Sequence, residues 1–358
     1  YMECTINKET LEPLLNVLQP FSDKKEFVQI TSHVMLTVSK EQLICYATDF
    51  EMGLQLCSKD ITTKQEGRIT ANAKKLLDIV RNLKSNTPIN LKADENILTI
   101  SQGKSHFKLP SFIAEEFPTF PNYEDANELD ITFADLSHDF KKISPTIDTN
   151  NQRVEITGML FAFTKEKIDI VGTDTKRLGI ITHPSSDTET RFIIPKQAVL
   201  ELQKLEFEPD TKVYQTSTIL VLKDSKAQCF VRLINGNYPQ YEKIIPTSFT
   251  HEIMLPRDQF LESIRLIETL SNIIELRISG NEVFFSSING GPDEKAETSF
   301  EIAANVDDEV LIGINSKQVA DFLAHIQTPE FALKIKDSYS PFVVESENFS
   351  TVIIPIIT

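Results

Sequence analysis

The chain has 358 residues, of which 41% are hydrophobic, with 36 Lys+Arg against 52 Asp+Glu, four cysteines and 11 glycines. This composition excludes a disordered chain and a disulfide scaffold, and it predicts a soluble globular protein of two or three domains. The net charge of −16 opposes general binding to phosphate, so a nucleic-acid role would require basic residues gathered on one surface.

Acidic residues are concentrated near the C-terminus, where residues 250–358 include 7 basic and 18 acidic side chains. The first residues contain neither a basic nor an apolar signal segment, and no apolar run approaches the ~20 residues of a membrane helix. We therefore expect a cytoplasmic protein. Tyr1 precedes Met2, and we interpret Met2 as the natural start.

The predicted elements recur along the chain with a period of about 120 residues. An apolar pattern with helical spacing begins at Leu11 and recurs at Leu136 and at Phe260. Each of these helices is followed by two alternating apolar runs around a polar turn, which predict a β-hairpin. The three hairpin segments are MLTVSKEQLICYATD, MLFAFTKEKIDIVGTD and ELRISGNEVFFSSI.

A second helix is predicted after each hairpin, beginning at Asn72, Pro195 and Asn315. Asparagine is a preferred N-cap, and proline suits the first turn of a helix. Two helices and about eight short strands per repeat predict an α+β fold with the helices on one face of an antiparallel sheet. Polar, proline-containing segments place the boundaries of three similar domains at 1–127, 128–249 and 250–358.

Motifs for catalysis, nucleotide binding and metal binding are missing from the sequence. There is no P-loop, GxGxxG, GxSxG or HExxH motif, so neither a cofactor nor a metal site is expected. The cysteines are not spaced for zinc, and we interpret them as buried, reduced, structural thiols. They are Cys4, Cys45, Cys57 and Cys229.

Two carboxylates follow the same predicted strand in two repeats, Asp49 after Thr48 and Asp174 after Thr173. An enzyme could use this pair with Arg177 as an active site. The alternative is that each Thr-Asp pair caps a turn with side-chain hydrogen bonds to the backbone. We favour the turn, because recurrence in equivalent repeats places the two aspartates in different domains.

Six ordered segments resemble the bacterial sliding clamp family, the β subunits of DNA polymerase III. They are TDFEMG, FPTFP, GMLF, VGTDTKRL, INGNYPQYEKIIP and VIIPIIT. The resemblance covers the full length, and GTDTKRL and NGNYPQY are its most specific parts. It implies three DNA-clamp domains without catalysis, assembled as a head-to-tail homodimeric ring around double-stranded DNA.

The resemblance also implies a set of partners for a processivity factor in the cytoplasm, associated with the nucleoid and not with membranes. DNA would be bound without sequence specificity, and proteins through short linear motifs. Those proteins are the DNA polymerase III alpha subunit, the clamp loader delta subunit, other DNA polymerases, mismatch-repair proteins and DNA ligase. A peptide-binding scaffold that never encircles DNA is the remaining alternative, and it would show no topological retention on circular DNA.

Three sets of site residues follow from the resemblance. A hydrophobic pocket for partner peptides, between the second and third domains, maps to Ile156, Thr173, Thr175, Lys176, Arg177, Leu178, Pro239, Lys243, Ile244, Pro341, Phe342, Val352, Ile353, Ile354, Pro355, Ile356 and Ile357. DNA contacts map to Lys24, Lys25, Lys74, Lys75, Arg81, Asn150, Arg153, Lys196 and Lys317. The dimer contact maps to Phe107, Leu266 and Ile267.

The residues themselves leave simpler alternatives open for these sets. Pro355 interrupts an alternating apolar strand and should free nearby side chains for a ligand, although the isoleucines could also be core. The predicted helices carry a small basic excess in an otherwise acidic chain, but each lysine could be an ordinary solvated residue. Ile267 continues the apolar face of its helix and could belong to the core.

Overall fold

The computed structural model describes residues 1–23, 29–288 and 290–357. The helices are α1 Lys8–Leu18, α2 Ala73–Asn82, α3 Phe133–Ser137, α4 Phe140–Ile143, α5 Lys196–Leu202, α6 Arg257–Glu268 and α7 Ser316–Leu323. The first strands are β1 Met2–Ile6, β2 His33–Val38, β3 Leu43–Thr48, β4 Met52–Ser58, β5 Ile61–Gln65, β6 Gly67–Asn72, β7 Ile89–Asp94, β8 Ile97–Gln102, β9 Ser105–Pro110 and β10 Asn127–Leu129. The later strands are β11 Gly158–Phe163, β12 Lys167–Thr173, β13 Arg177–Pro184, β14 Thr190–Pro195, β15 Lys212–Gln215, β16 Ile219–Lys223, β17 Ala227–Arg232, β18 His251–Pro256, β19 Ile273–Ser287, β20 Glu297–Asn315, β21 Glu330–Ile335, β22 Phe342–Ser346 and β23 Phe349–Ile353.

The chain divides into two compact units. The first unit contains Tyr1–Ser137 and Glu201–Leu233, and the second contains His138–Leu200 and Ile234–Thr358. In the first unit, a five-stranded sheet has the order β5-β1-β7-β8-β9 and an eight-stranded sheet the order β10-β15-β16-β17-β4-β3-β2-β6. In the second unit, an eight-stranded sheet has the order β14-β11-β12-β13-β23-β22-β21-β18, and β19 pairs with β20.

Strand β19 folds back on itself and forms the third predicted hairpin. A straight strand of 15 residues would span about 50 Å, yet the Ile288 amide donates to the Ile273 carbonyl at 2.9 Å. The two ends of β19 therefore lie side by side. Gly280, with φ of +57°, lies at the turn in the left-handed region that glycine tolerates. The hairpin predicted from ELRISGNEVFFSSI is confirmed.

The same four-strand order occurs three times, which confirms the predicted repeat. It is β6-β2-β3-β4 in the first unit and β14-β11-β12-β13 in the second. In β19 and β20 the corresponding segments are Val310–Asn315, Ile273–Ile278, Glu282–Ser286 and Glu297–Glu301. Each eight-stranded sheet then joins two repeats, through the β4–β17 pair and the β13–β23 pair. Because these sheets cross the repeats, the units do not follow the boundaries 1–127, 128–249 and 250–358, which stay a prediction.

Two predicted helix caps are present, and one predicted helix is divided in two. The Asn72 and Asn315 side chains accept hydrogen bonds from the amides of Lys75 at 3.0 Å and Lys317 at 3.1 Å, so both N-caps are confirmed. The helix predicted through Leu136 is divided into α3 and α4. The Ser137 hydroxyl donates to the Ala134 carbonyl at 2.8 Å, a local bond that competes with helix continuation.

All four cysteines are free, and three of them are buried. Burial raises the pKa of Cys4 to about 11 and that of Cys229 to about 12, so both remain thiols at neutral pH. Cys57 is partly exposed. None of the described helices has both the length and the apolar composition needed to cross a membrane.

His33 makes the stability of the first unit depend on pH. The ring is 6% exposed, with Nδ1 3.0 Å from the Thr70 hydroxyl, and burial followed by the charge of Lys75 lowers its pKa to about 4. The unfolded chain binds this proton at a higher pH than the folded chain. The contribution of neutral His33 to stability is therefore complete above about pH 6.5 and is lost as the pH falls towards 4.

We expect the urea midpoint to fall between about pH 7 and about pH 4.5, and to fall less in His33→Gln. The matched control is His138→Gln at an exposed histidine outside the sheet edges, which should behave as the parent chain does. An equal fall in the His33→Gln and parent proteins would contradict this assignment.

Candidate functional site

The residues predicted to form a peptide pocket all lie in the second unit. Ile156, Leu178 and Val352 belong to one buried apolar cluster that also contains Tyr238 and Tyr241. Leu178 lies opposite Val352 in the β13–β23 pair, so both side chains point to the same face of the sheet. We call this the outer face, and the face that packs on α4 and α7 the helix face. The cluster forms the floor of a candidate site on the outer face.

A buried tyrosine fixes the segment 239–244 over this floor. The Tyr241 hydroxyl donates to Asp169 Oδ2 at 2.7 Å, and burial raises the pKa of Tyr241, so the phenol stays a donor. Asp169 is 1% exposed and also accepts from the Thr182 hydroxyl at 2.8 Å and pairs with Lys167 at 2.9 Å. With its charge compensated in this way, Asp169 is a rigid anchor for the segment.

Three of the predicted pocket residues are exposed isoleucines. Ile244 is 48% exposed, Ile354 is 50% exposed and Ile357 is 71% exposed. Beyond β23 the chain leaves the regular ladder at Pro355 as predicted, and the Ile354 amide donates to the Lys176 carbonyl at 3.1 Å. Of the other predicted pocket residues, Thr175, Lys176 and Lys243 are exposed, Pro239, Pro341 and Ile356 are half-buried, and Thr173 and Pro355 are buried.

Each Thr-Asp pair closes a turn, as the second interpretation of the sequence expected. The Asp174 carboxylate accepts from the amides of Lys176 and Arg177, both at 3.0 Å, and Thr175 has φ of +75°. Asp49 accepts from the amides of Glu51 at 3.0 Å and Met52 at 2.9 Å in the same way, and Phe50 has φ of +72°. The two aspartates belong to different units. The turn-capping interpretation is therefore confirmed.

Arg177 does not line the outer face. Its guanidinium donates to Asp174 at 3.1 Å, to Asp321 of α7 at 2.6 Å and to the Pro145 carbonyl at 2.7 Å. The side chain is 7% exposed and points to the helix face, because it alternates with Leu178 along β13. Arg177 therefore links β13 to α7 through these hydrogen bonds and does not line the pocket.

Phe342 and Ile353 also differ from their predicted place. They lie opposite each other in the β22–β23 pair, and Ile353 lies opposite Arg177 in the β13–β23 pair. Residues opposite one another share a face, so both side chains belong to the helix face, where Phe342 is 1% exposed and Ile353 is fully buried. The correction follows from strand alternation, which a continuous apolar run does not reveal.

The corresponding outer-face position in the first unit is filled by an aromatic ring. Phe230 lies opposite Gly53 in the β17–β4 pair, as Val352 lies opposite Leu178. The Phe230 ring packs 5.2 Å from that of Phe120, and a Cβ on Gly53 would overlap it. The glycine is therefore required there, because the Phe230 ring occupies the space beside it.

Two of the predicted DNA-contacting lysines are exposed in the first turn of α2. Lys74 and Lys75 are the second and third residues after the Asn72 cap, and Lys317 is the second residue after the Asn315 cap of α7. A lysine at a helix N-terminus opposes the helix dipole, so these positions do not serve helix stability. Lys24 and Lys25 lie outside the described residues.

The remaining predicted DNA contacts are partly engaged within the protein. The Lys196 ammonium donates to the Ile147 carbonyl at 2.7 Å and to the Thr149 hydroxyl at 3.1 Å, and burial lowers its pKa. These bonds hold the first residue of α5 against the loop that contains Ile147 and Thr149, instead of presenting its ammonium to a ligand. Arg81 donates to Asn16, Arg153 pairs with Glu155 at 3.3 Å, and Asn150 is exposed.

The predicted dimer residues separate into two groups. Phe107 is 38% exposed on β9, an edge strand of the five-stranded sheet, and Leu266 is 55% exposed on α6. Ile267 is 1% exposed, so it belongs to the core of the second unit, as the alternative interpretation expected.

The part of the chain that the structure describes contains no group of three His, Cys, Asp or Glu side chains able to hold a metal ion. Sequence alone does not identify Tyr241 and Val343, which belong to the floor cluster with Val352. Tyr241 lies in the segment NGNYPQY, one of the most specific parts of the family resemblance, but nothing local to that segment distinguishes a buried tyrosine from a surface one.

Three family models together match nearly the whole chain. They are described as the N-terminal, central and C-terminal domains of the DNA polymerase III beta subunit, and they match residues 2–121, 131–240 and 242–357. The chain is 36% identical to a beta sliding clamp of Helicobacter pylori over 353 residues, 96% of this chain and 94% of that protein. It is 26% identical to a Pseudomonas aeruginosa beta sliding clamp, with 97% of each covered.

A solved structure agrees with these sequence matches. The crystal structure of the Helicobacter pylori beta clamp bound to a DNA ligase peptide covers all of both chains, with a TM-score of 0.91 and 36% identity.

Proposed function

Because the chain belongs to the family of DNA polymerase III beta subunits, the non-catalytic sliding clamps, we propose that two copies form a ring around double-stranded DNA and tether partner proteins to it. The mechanism is topological and needs no reaction: the ring slides on DNA and raises the local concentration of enzymes bound to it. The proposal includes three domains with the boundaries 1–127, 128–249 and 250–358, and a location at the nucleoid.

One observation supports the proposed ring. Two edge strands have no neighbouring strand on one side within the described residues, although the equivalent strands in the other repeats are paired on that side. The last strand of the second repeat, β17, pairs with β4, and the last strand of the third, β23, pairs with β13. The last strand of the first repeat is β9, and the segment equivalent to β4 in the third repeat is Glu297–Glu301. Both are sheet edges within the described residues, and pairing of β9 with Glu297–Glu301 of a second copy would complete the pattern.

The charges of these two edges support a head-to-tail contact. Lys108 is exposed on β9, next to Phe107, whereas Glu297 and Glu301 are exposed at the ends of the other edge. A heterologous contact between different edges closes a ring when the rotation allows it. Like edges would bring like charges together, so two β9 strands are not expected to pair.

DNA would be held by weak contacts to phosphates. Lys74, Lys75 and Lys317 are exposed at helix N-termini, where amide groups and a positive dipole also favour anions. Contacts of this kind are independent of base sequence and weaken with salt, which suits a protein that slides.

Partner peptides would bind the outer face of the second unit. The floor of Ile156, Leu178 and Val352 and the exposed Ile244 and Ile354 offer a preformed apolar surface for one or two anchor side chains. By family membership we expect the DNA polymerase III alpha subunit, the clamp loader delta subunit, other polymerases, mismatch-repair proteins and DNA ligase to use it.

Topological retention tests the ring directly. The protein is loaded on nicked circular DNA with its clamp loader and ATP, washed in high salt, and the circle is then cut with a restriction enzyme. Retention on the circle and release from the linear product are expected for a ring. Equal loss from both forms would contradict the ring and favour a scaffold that binds peptides without encircling DNA.

Replacing Ile354 by Asp should weaken the peptide site by at least about tenfold, because the change removes an apolar contact and places an unpaired carboxylate at the rim. The affinity of a labelled peptide from the cognate DNA ligase is measured by fluorescence anisotropy. Ile354 is half exposed, so the fold should tolerate the change.

Met254→Asp is the matched control, since Met254 is 48% exposed on β18 of the same unit. The peptide site is placed wrongly if both variants bind the peptide like the parent protein, or if both lose it equally.

A further inference from the structure

An apolar cavity of about 450 Å³ lies on the helix side of the eight-stranded sheet in the first unit. Leu14 and Val17 of α1, Leu54 and Leu56 of β4, and Leu205 after α5 are among its walls. Leu54 and Leu56 alternate with Gly53 along β4, so the cavity is on the opposite face from the Phe230 ring.

The equivalent space in the second unit is filled by the chain itself. Leu56 and Ile181 are equivalent, because each lies seven residues after the aspartate of a Thr-Asp pair. Across the strand pairs, Leu56 lies opposite Ala227 and Ile181 lies opposite Phe349. Ala227 and Phe349 are therefore equivalent positions. The Ala227 methyl group borders the cavity in the first unit, at the position where the second unit has the phenyl ring of Phe349.

The surroundings of Phe349 show what this space accommodates. The ring is 2% exposed, its centroid is 4.9 Å from that of Phe322 on α7, and the Lys142 ammonium lies 6.0 Å from it. Val17 in the cavity wall is 125 positions before Lys142, which is the offset between the two Thr-Asp pairs. The site in the second unit holds an aromatic ring, whereas the first unit has Ala227 at the Phe349 position. The cavity remains open there with Phe207 as one of its walls.

The rim of the cavity carries charges of both signs. Lys204 and Lys223 border it together with Glu206 and Asp224, and Lys204 already pairs with Glu201 at 3.1 Å. Balanced charges give no preference for an anionic or a cationic ligand. They do offer hydrogen-bond partners for a peptide main chain beside an uncharged ring.

We propose that this cavity is a second protein-docking site, which takes the aromatic side chain of an extended segment of a partner protein in the place that Phe349 fills in the second unit. The ligand is an uncharged ring flanked by peptide groups. The site does not depend on the ring, on DNA or on the outer-face pocket.

Methyl NMR of the full-length protein tests the proposal with N-acetyltryptophanamide as the probe. We expect saturable shifts at the methyl groups of Leu54 and Leu56, with about millimolar affinity for a single side chain. Shifts of Leu178, which would report the outer-face pocket, are evaluated separately, so failure of that site leaves this result unaffected. Absence of saturable shifts at Leu54 and Leu56 would overturn the proposal.

Two reciprocal variants make the test specific. Ala227→Phe supplies the missing ring and should weaken probe binding at Leu54 and Leu56 at least about fivefold, whereas Phe349→Ala should create new shifts at Ile181 in the second unit. Probe binding unchanged by Ala227→Phe would overturn the proposal even if Phe349→Ala failed to fold.

The peptide groups are tested with two further probes. Indole carries the ring without the amides, and N-acetylalaninamide carries the amides without the ring; both are expected to bind more weakly than N-acetyltryptophanamide. Equal binding of indole would overturn the assignment to a peptide segment, and equal binding of N-acetylalaninamide would overturn the assignment to an aromatic anchor.

Discussion

Replacing Phe107 by Asp is expected to abolish the dimer and, with it, retention on circular DNA. Phe107 is partly exposed on β9, the edge proposed to pair with Glu297–Glu301 of a second copy. The change removes an aromatic anchor and brings a third carboxylate towards Glu297 and Glu301, so a new repulsion opposes the attraction of Lys108. We expect the dimer dissociation constant to rise about 100-fold or more. Light scattering after size exclusion measures the mass, and the linearisation assay measures retention.

Ile113→Asp serves as the control, because Ile113 is a 50% exposed apolar residue of the same unit outside the sheet edges. It should remain dimeric and be retained on circular DNA. A dimeric Phe107→Asp protein that is still released only by cutting the circle would show that the ring closes elsewhere. Loss of the dimer in both variants would indicate a general effect of added charge.

Replacing Arg177 by Met is expected to lower the free energy of unfolding by about 3 kcal/mol, because it leaves partly buried partners without their cation. Three acceptors lose a donor: Asp174, Asp321 and the Pro145 carbonyl. Because the guanidinium points to the helix face, the folded variant should keep its peptide affinity within about threefold. Urea unfolding measures stability, and anisotropy with the ligase peptide measures affinity below the transition.

The neighbouring Lys176→Met is the matched control, since Lys176 is exposed and should change stability by less than about 0.5 kcal/mol. If Arg177→Met is as stable as Lys176→Met, the hydrogen bonds of Arg177 do not stabilise the fold. A stable Arg177→Met protein that no longer binds the peptide would return Arg177 to the pocket.

The repeat could be predicted from sequence because each of its signals is local. Asn72 and Asn315 cap helices through amides within three residues, and Thr173 and Asp174 close a turn four residues long. Spacing then shows that these local devices recur. Residues of this kind need no knowledge of distant parts of the chain, and the structure confirms them.

The candidate site could be predicted only in outline, because its details depend on which strands meet. The apolar run after Thr351 does not reveal that Val352 and Ile353 point to opposite faces, nor that Arg177 reaches Asp321, 144 residues away. The equivalence of Ala227 and Phe349 also needs the register of strands from different repeats. Such pairings are set by tertiary structure and leave no local pattern.

The phenyl group of Phe230 beside Gly53 limits the number of partners that can bind the outer face of one clamp at once. The outer face of the first unit is closed by this ring, so each chain offers one outer-face site instead of two. In the proposed two-copy ring this gives two equivalent sites. Two proteins that use the outer-face site can then bind the same clamp, and a third protein that needs this site binds only after one of them leaves. The order in which these enzymes act at a primer end is then decided by competition and residence time.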